Sequence, residues 1–373
     1  SVQFEAFHPL HLLSYWIDVP WLSALAGPES TATAFVVHGV SLALWLWALQ
    51  AMFALLCELG VPAWAAALGT LFAGVHPAQV EVVSWASGRK DVLALLFCCG
   101  SLRLQLSAAS PWQGRAWLAR ALYVCALLSK TTSLPLPLFG LCLDVLVRGK
   151  RPRDALFWQL PSLLLSAGVS VVVYAIWQEH SMLRGTLGGP ALALVRASQT
   201  LGHQWLTALW PARVAPMYAT HSIAQLSWPR SLACLTYLLA LGLAWRARRE
   251  HSAADRRGLW LLPAANLVPL YFPLQDRYLS LPLFGLGCAI AGLAPRSAPS
   301  ATDSRPTQES NTKVDTLPLH AARTTQHAGA WQSETRLWGH AVRAQADAEY
   351  AYLKLGEVRR EAGELEGAIR AYR

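Results

Sequence analysis

Charged residues are scarce in this chain of 373 residues, of which only 14% are Asp, Glu, Lys or Arg. An ordinary soluble domain contains about 25%. Hydrophobic residues make up 54% of the chain, and tryptophan alone occurs 17 times. A soluble protein of this length could not cover so much apolar surface with so little charge. The composition therefore excludes an ordinary soluble domain and predicts an integral membrane protein.

Metal-binding patterns are also missing. The 7 cysteines all lie within apolar runs, and none pairs with histidine at a spacing typical of zinc sites. We interpret the cysteines as small apolar packing residues. The sequence predicts no metal ligands and no tightly bound cofactor, and it leaves a requirement for a divalent metal undecided.

The net charge of +9 comes from short basic clusters between apolar runs, such as residues 148–153 and 246–249. This placement is typical of the cytoplasmic loops of membrane proteins. It argues against nucleic acid as a partner, although a basic chain could otherwise suggest one.

The apolar runs predict the fold class. A spanning helix needs about 20 apolar residues, and the runs of this chain predict about nine spans. The expected fold is all-α, a polytopic transmembrane helix bundle in the bacterial inner membrane or the endoplasmic reticulum. The predicted spans are residues 34–56, 63–75, 92–106, 116–128, 134–147, 157–177, 231–245, 259–273 and 279–294.

Most of the polar residues fall on the face opposite the basic clusters. If those clusters are cytoplasmic, counting spans places five other segments on the far side of the membrane. One of them contains residues 190–210, which predict an amphipathic helix at the membrane interface. If that helix spans instead, every later segment changes sides. The five segments are residues 1–33, 76–91, 129–132, 178–230 and 275–278.

The richest polar stretch, residues 76–91, joins two apolar runs. Adjacent Arg89 and Lys90 suit an anionic head group, although snorkelling at the interface explains them about equally well. For Asp91, at the start of the next helix, a capping role is favoured. His76 and Glu81 are predicted to be functional, because polar side chains at membrane depth usually are.

Several segments occur in the order found in one family. They are His-Pro-Leu-His-Leu-Leu-Ser-Tyr at 8–15, Val37-His38, the stretch 76–91, Leu-Ser-Lys at 128–130 and Asp-Arg-Tyr-Leu-Ser-Leu-Pro at 276–282. Together they resemble the transmembrane and tetratricopeptide-repeat O-mannosyltransferase-like family, which belongs to the membrane glycosyltransferases of the GT-C fold. The resemblance covers almost the whole chain, and the combination is more specific than any one motif.

The resemblance implies transfer of a sugar, typically mannose, from a polyprenyl or dolichyl phosphate to a hydroxyl of a polypeptide. The implied partners are membrane lipid, the lipid-linked sugar donor and a polypeptide acceptor. Cationic side chains would stabilise the phosphate as it leaves. The expected site residues are His76, Glu81 and, weakly, Glu5 for catalysis; Arg89, Lys90, Lys130 and Arg277 for the donor phosphate; and Gln79, Asp91, Asp276 and Tyr278 in support.

One departure from the family pattern concerns the general base. The paired acidic residues of the family precede the segment that matches residues 7–15, and here only Glu5 and Asp18 lie nearby. Asp18 follows the matched segment, which makes it a poor substitute. We therefore expect this chain to be a fragment that lacks the first span and the base and is inactive by itself.

The C-terminal part predicts a separate module. The bundle is expected over residues 1–294, a Ser/Thr/Pro-rich linker over 295–330 and partial tetratricopeptide repeats over 331–373. Since several repeats are needed for stability, the repeats are expected to continue in the native protein. Counting spans puts them in the cytoplasm, and an extra span at 190–210 would move them outside. The predicted repeat-packing residues are Trp338, Leu355, Gly356, Gly363, Ala368 and Tyr372.

Two other functions are open on sequence grounds. The chain could be a non-catalytic membrane anchor for repeats that bind a partner, which loss of the upstream acid would favour. It could also be a lipid or solute transporter, which predicts inverted repeats or charges at the midplane. Neither transporter feature is clear in the sequence.

Overall fold

The computed structural model describes residues 8–27, 31–179, 189–211, 214–215, 226–247, 283, 286, 316–344 and 349–372. Every regular element in these ranges is helical, which confirms the all-α prediction. The α-helices are α1 (Pro9–Ala26), α2 (Thr31–Glu58), α3 (Ala63–Gly74), α4 (Val80–Ser84), α5 (Arg89–Ser107), α6 (Gly114–Ser129), α7 (Leu136–Cys142), α8 (Pro152–Glu179), α9 (Gly189–Leu209), α10 (Trp228–Ala247), α11 (Thr316–Ala330), α12 (Glu334–Ala344), α13 (Glu349–Glu361) and α14 (Leu365–Tyr372).

Two of the described helices are long and apolar enough to cross a membrane. They are α2 and residues Pro152–Ile176 of α8. Other predicted spans form shorter helices, such as the 12 residues of α3, which at about 1.5 Å per residue cover little more than half of a hydrocarbon core. The predicted spans 259–273 and 279–294 lie outside the described residues, apart from Leu283 and Leu286.

Side-chain contacts fix the directions of the central helices. Arg89 at the start of α5 bonds to Ser41 in the first half of α2, and Arg103 near the end of α5 bonds to Glu58 at the end of α2. These two helices are therefore parallel. Helix α6 is antiparallel to α5, because Ser101 bonds to the Ala119 carbonyl.

The bundle consequently has two distinct ends. We call the end that holds residues 89–91 and 130 the upper end, and the end that holds residues 103–120 the lower end. The ring of Trp112 lies 6.4 Å from that of Phe157, which brings the start of α8 to the lower end. The basic loop 148–153 and the polar stretch 89–91 thus lie at opposite ends.

The core between α2, α3 and α5 combines large and small apolar side chains. Met52, Leu55, Ala66, Val92 and Cys99 are all essentially buried there. The small residues let the helices approach closely while the large ones fill the remaining space.

The short α3 explains the position of the polar stretch 76–91. Gly74 at the end of α3 lies against Leu49, in the middle of α2. The chain then continues toward the upper end, where Arg89 contacts Ser41. The intervening backbone forms the 3-10 turn Pro77–Gln79, α4 and the 3-10 turn Ala86–Gly88. The start of this irregular stretch is covered by the protein, since His76 is fully buried.

Helix α11 differs from the linker expected at 295–330. This helix of 15 residues contacts the bundle through its second half, where the Thr324 hydroxyl donates to the Val75 carbonyl and the Arg323 guanidinium lies 4.3 Å from the centre of the Trp210 ring. Polar side chains make these contacts, so the apolar periodicity that reveals a packed helix is weak here.

Helices α12, α13 and α14 form a small helical unit. Trp338 contacts Tyr350, and Ala341 and Ala351 are buried beside them. A side chain at Gly356 would collide with the ring of Tyr372, and Gly363, with φ of +79°, makes the turn into α14. The small residues therefore allow α13 and α14 to cross closely.

Candidate functional site

The candidate site lies at the upper end, where α5 begins. The backbone approaches itself closely here, because any side chain at Gly88 would collide with the carbonyl of Val82. This contact folds the 3-10 turn Ala86–Gly88 against α4 and directs the first turn of α5 toward α1 and α2. Glycine at this position therefore fixes where Arg89 and Lys90 lie.

Arg89 is completely buried and makes contacts on every side. Its guanidinium donates to Asp18 Oδ2 at 2.6 Å, to Ser41 Oγ at 3.1 Å and to the Val37 carbonyl at 3.0 Å. It also lies 4.1 Å from the centre of the Tyr15 ring. The predicted role of Arg89 in binding the donor phosphate stays a prediction, but this geometry favours holding α1 on α2 and α5.

Asp18 lies in the candidate site, although the sequence analysis judged it a poor substitute for the missing acid. Its carboxylate forms the ion pair with Arg89, and its other oxygen, Oδ1, is buried without a hydrogen bond. His11, Tyr15 and Asp18 recur at spacings of four and three, which puts them on one face of α1. That periodicity was the available signal, but their shared partner Arg89 is 71 positions away from Asp18.

A second buried ion pair joins Lys130, directly after α6, to Asp91 in the first turn of α5. The N-cap of α5 is Gly88, not Asp91, although the Asp91 carboxylate still faces the positive end of the helix dipole. Its Oδ2 atom is buried and accepts no hydrogen bond. The pair brings two sequence-predicted residues together.

Lys90 and His11 complete the group. Lys90 is partly exposed, and its ammonium lies 5.9 Å from the centre of the Trp85 ring. The pKa of His11 falls to about 4, first because of burial and then because of the positive charges of Lys90 and Arg89. His11 is therefore neutral at physiological pH.

We call Arg89, Lys90 and Lys130, with the carboxylates of Asp18 and Asp91, the cation cluster. Three cations and two carboxylates give it a net charge of +1. The N-terminus of α5 adds the partial positive charge of the helix dipole. Such an arrangement attracts an anion, and a phosphate in particular.

His76 and Ala78 belong to a different part of the molecule. The Nδ1 atom of His76 accepts from the backbone N–H of Ala78 at 3.2 Å, which leaves Nε2 to donate to the Ala208 carbonyl at 3.3 Å. This assignment of the proton follows from the two bonds. Both ring nitrogens of His76 are thus engaged, and the side chain faces α9 instead of α1. Gln79 and Glu81 are buried in the same stretch.

Four predicted site residues, Glu5, Asp276, Arg277 and Tyr278, lie outside the described residues. Among the residues that are described, no group of three or more His, Cys, Asp or Glu side chains could hold a metal ion. The chain matches no family model, no curated protein and no solved structure.

Proposed function

We propose that this chain is the membrane part of a GT-C-like glycosyltransferase. It would take a sugar, most simply mannose, from a polyprenyl or dolichyl phosphate and transfer it to a hydroxyl of a polypeptide. The observation that carries the proposal is the cation cluster, in which three basic side chains from two segments meet at the N-terminus of α5 beneath α1.

The proposal includes a multi-pass placement in the bacterial inner membrane or the endoplasmic reticulum. Helices α2 and α8 would be full spans. The shorter α3 and α7 would lie at membrane depth, shielded by neighbouring helices. The exposed apolar side chains of α8, such as Leu164 and Val171, support contact with lipid.

The donor phosphate would bind beside Lys90. Lys90 is the partly exposed cation of the cluster, whereas Arg89 and Lys130 are buried, so Lys90 is the cation that a donor phosphate would reach first. Arg89 and Lys130 would contribute their fields and fix the surrounding helices. His11, neutral between these charges, could donate a hydrogen bond without adding to them.

Transfer breaks the bond between C1 of the sugar and the phosphate oxygen, and the electron pair leaves on the lipid phosphate. C1 then bonds to the acceptor oxygen, whose proton passes to a base. Asp18 is the carboxylate that the geometry offers, because Arg89 orients one oxygen while the other accepts no hydrogen bond. Glu81, Glu5 and His76 stay predictions for this role, and the engaged ring nitrogens of His76 disfavour it.

The C-terminal helices would be partial tetratricopeptide repeats that bind the acceptor or a partner. The close crossing of α13 and α14 at Gly356 and Tyr372 supports this proposal. Helix α11 contacts Val75, immediately before the polar stretch 76–91. A peptide held by the repeats would therefore lie near the start of this stretch.

The test uses the full chain in lipid nanodiscs, with dolichyl-phosphate-[³H]mannose as donor and a mixture of Ser/Thr-rich peptides as acceptor. Lys90→Ala should weaken donor binding about tenfold or more, because a charge-assisted contact is lost. Asp18→Asn should lower transfer more than donor binding. The matched control is Arg103→Ala, which removes the same charge near the other end of α5 from an exposed ion pair. Equal donor binding by Lys90→Ala and Arg103→Ala would contradict the proposed site.

A second candidate is a non-catalytic membrane-anchored repeat scaffold. The commitment of Arg89 to protein partners favours it, since this cation serves packing as described. A scaffold predicts that the full chain binds peptides but neither binds nor turns over the mannose donor in the same nanodiscs.

A further inference from the structure

The lower end brings together two segments, residues 112–120 and 148–158, which we call the basic–aromatic band. Trp112 contacts both Trp117 and Phe157, with ring centroids 6.1 and 6.4 Å apart. The Arg120 guanidinium lies 4.7 Å from the centre of the Trp117 ring. The aromatic rings are more than half exposed, at 59% for Trp112, 52% for Trp117 and 56% for Phe157. Exposed rings at one level of a bundle are typical of a membrane interface.

The loop that enters α8 carries a dense positive charge in a fixed shape. A π-helical turn, Leu143–Val147, precedes it, and the backbone N–H of Lys150 donates to the Asp144 carbonyl at 2.9 Å. Gly149, with φ of +68°, makes the turn. The backbone that carries Arg148 and Lys150 therefore has a defined conformation.

The buried carboxylate of Asp144 holds two of these cations. Arg148 Nη1 lies 2.9 Å and Lys150 Nζ lies 3.0 Å from Asp144 Oδ1. The Lys150 ammonium also sits 3.7 Å from the centre of the Trp158 ring. Two further arginines, Arg151 and Arg153, are exposed, and their side chains make no hydrogen bond or ion pair within the described residues.

Across residues 144–154, four basic and two acidic side chains leave a net charge of +2. The helix that follows this loop, α8, exposes its apolar side chains. Only 6% of its most apolar stretch of 18 residues is buried, compared with 39% of the corresponding stretch in α2. This surface has cations at one level, aromatic rings beside them and an exposed apolar helix next to both. Such an arrangement matches a lipid, which has an anionic head group and apolar acyl chains.

We propose that the basic–aromatic band binds the phosphate head group of an anionic phospholipid, whose acyl chains lie along α8. The proposal rests on the membrane placement given above and is independent of sugar transfer. Arg151 and Arg153 supply the contacts to the head group, while Asp144 and Trp158 keep Arg148 and Lys150 beside them. A zwitterionic phospholipid of the same shape has no net charge for the band to attract.

The test measures lipid selectivity directly. The full chain is reconstituted in phosphatidylcholine bilayers at low salt with trace spin-labelled phosphatidylglycerol or phosphatidylcholine. Electron paramagnetic resonance then gives the fraction of each label immobilised by the protein. We expect a several-fold preference for phosphatidylglycerol. With about 1 kcal/mol for each basic side chain near an anionic surface, each arginine removed should lower this preference by up to roughly fivefold.

Three variants separate charge from folding. Arg151→Gln with Arg153→Gln should bring the preference close to one, whereas Arg151→Lys with Arg153→Lys should keep most of it. The matched control, Arg343→Gln with Arg360→Gln, makes the same change in charge on exposed positions of α12 and α13 and should leave the preference unchanged.

The outcomes are distinguishable. Failure of the chain to enter bilayers would overturn the membrane placement itself. Incorporation with equal immobilisation of both lipids, or a preference that survives Arg151→Gln with Arg153→Gln, would overturn the lipid site alone. A preference that millimolar inorganic phosphate abolishes at constant ionic strength would show a free-phosphate site and would overturn the assignment to lipid.

Discussion

The two ends of the bundle use basic residues in opposite ways. At the upper end, Arg89 and Lys130 are buried and each is paired with a carboxylate. At the lower end, Arg148 and Lys150 pair with the buried Asp144 but stay partly exposed, Arg151 and Arg153 are exposed, and Arg103 pairs with Glu58 at the surface. Charge that is buried must be matched by its surroundings, whereas charge at the surface is available to partners. The same residue type therefore holds helices together at one end and faces outward at the other.

The strongest test of this contrast is Arg89→Ala. The change removes the partner of the Asp18 carboxylate, which is only 14% exposed, and breaking a buried pair this way costs about 3–5 kcal/mol. We expect a large fall in the thermal unfolding midpoint of the full chain in detergent. Arg89→Met combined with Asp18→Asn should recover part of that loss. A midpoint that Arg89→Ala leaves unchanged would show that the pair does not hold α1 in place.

Acid should affect the C-terminal helices more than the lower end. Burial, and then the neighbouring His340, lower the pKa of His327 from 6.5 to about 4. Because its folded pKa lies below its unfolded pKa, the unfolded chain binds more protons between these values. Stability is full above about pH 6.5 and falls by up to about 3 kcal/mol as the pH drops toward 4.

Hydrogen exchange at pH 7 and pH 4.5 can measure this effect. Protection of α11 and α12, which join through the contact between His327 and His340, should fall at the lower pH, while α8 should change little. His327→Gln should reduce the difference between the two pH values. Equal acid sensitivity of α8 and α11 would contradict an acid effect confined to the C-terminal helices.

Gly88→Ala tests whether backbone geometry positions the cation cluster. The new methyl group would collide with the Val82 carbonyl, and overpacking of this kind costs about 1–3 kcal/mol. The control is Gly168→Ala in α8, where no atom lies within 4 Å of the added carbon; it should be neutral or stabilising by up to about 1 kcal/mol. Matching effects of the two changes on the unfolding midpoint would argue against the close turn.

The smallest effect should come from Arg103→Ala at the lower end. Its ion pair with Glu58 is about 40% exposed on both sides, and exposed pairs contribute about 0–1 kcal/mol. We therefore expect a shift in the unfolding midpoint close to the error of the measurement. A loss comparable to that of Arg89→Ala would remove the distinction between the two ends.

Part of this architecture could be predicted from the sequence. The apolar runs predicted the all-helical fold. The sequence argument also selected the stretch 76–91 and Lys130, and the structure places Asp91 and Lys130 together, but their roles stay predictions. The pairing of Asp18 with Arg89 was not predictable, since helical spacing shows which residues share a face but not which distant residue they meet. The contact of α11 with the bundle could not be predicted from apolar periodicity either, because Thr324 and Arg323 make it through polar groups.

The buried ion pairs also constrain how the protein is made. The partners of each pair are far apart in the sequence: Arg89 follows Asp18 by 71 positions, and Lys130 follows Asp91 by 39. Until Lys130 has been synthesised, Asp91 lacks the cation that pairs with it in the folded chain, and burying an unpaired carboxylate is costly. The packing of α5 against α1 and α2 is therefore expected to be completed only after residue 130 has been added, and a chain that stops before it should be less stable.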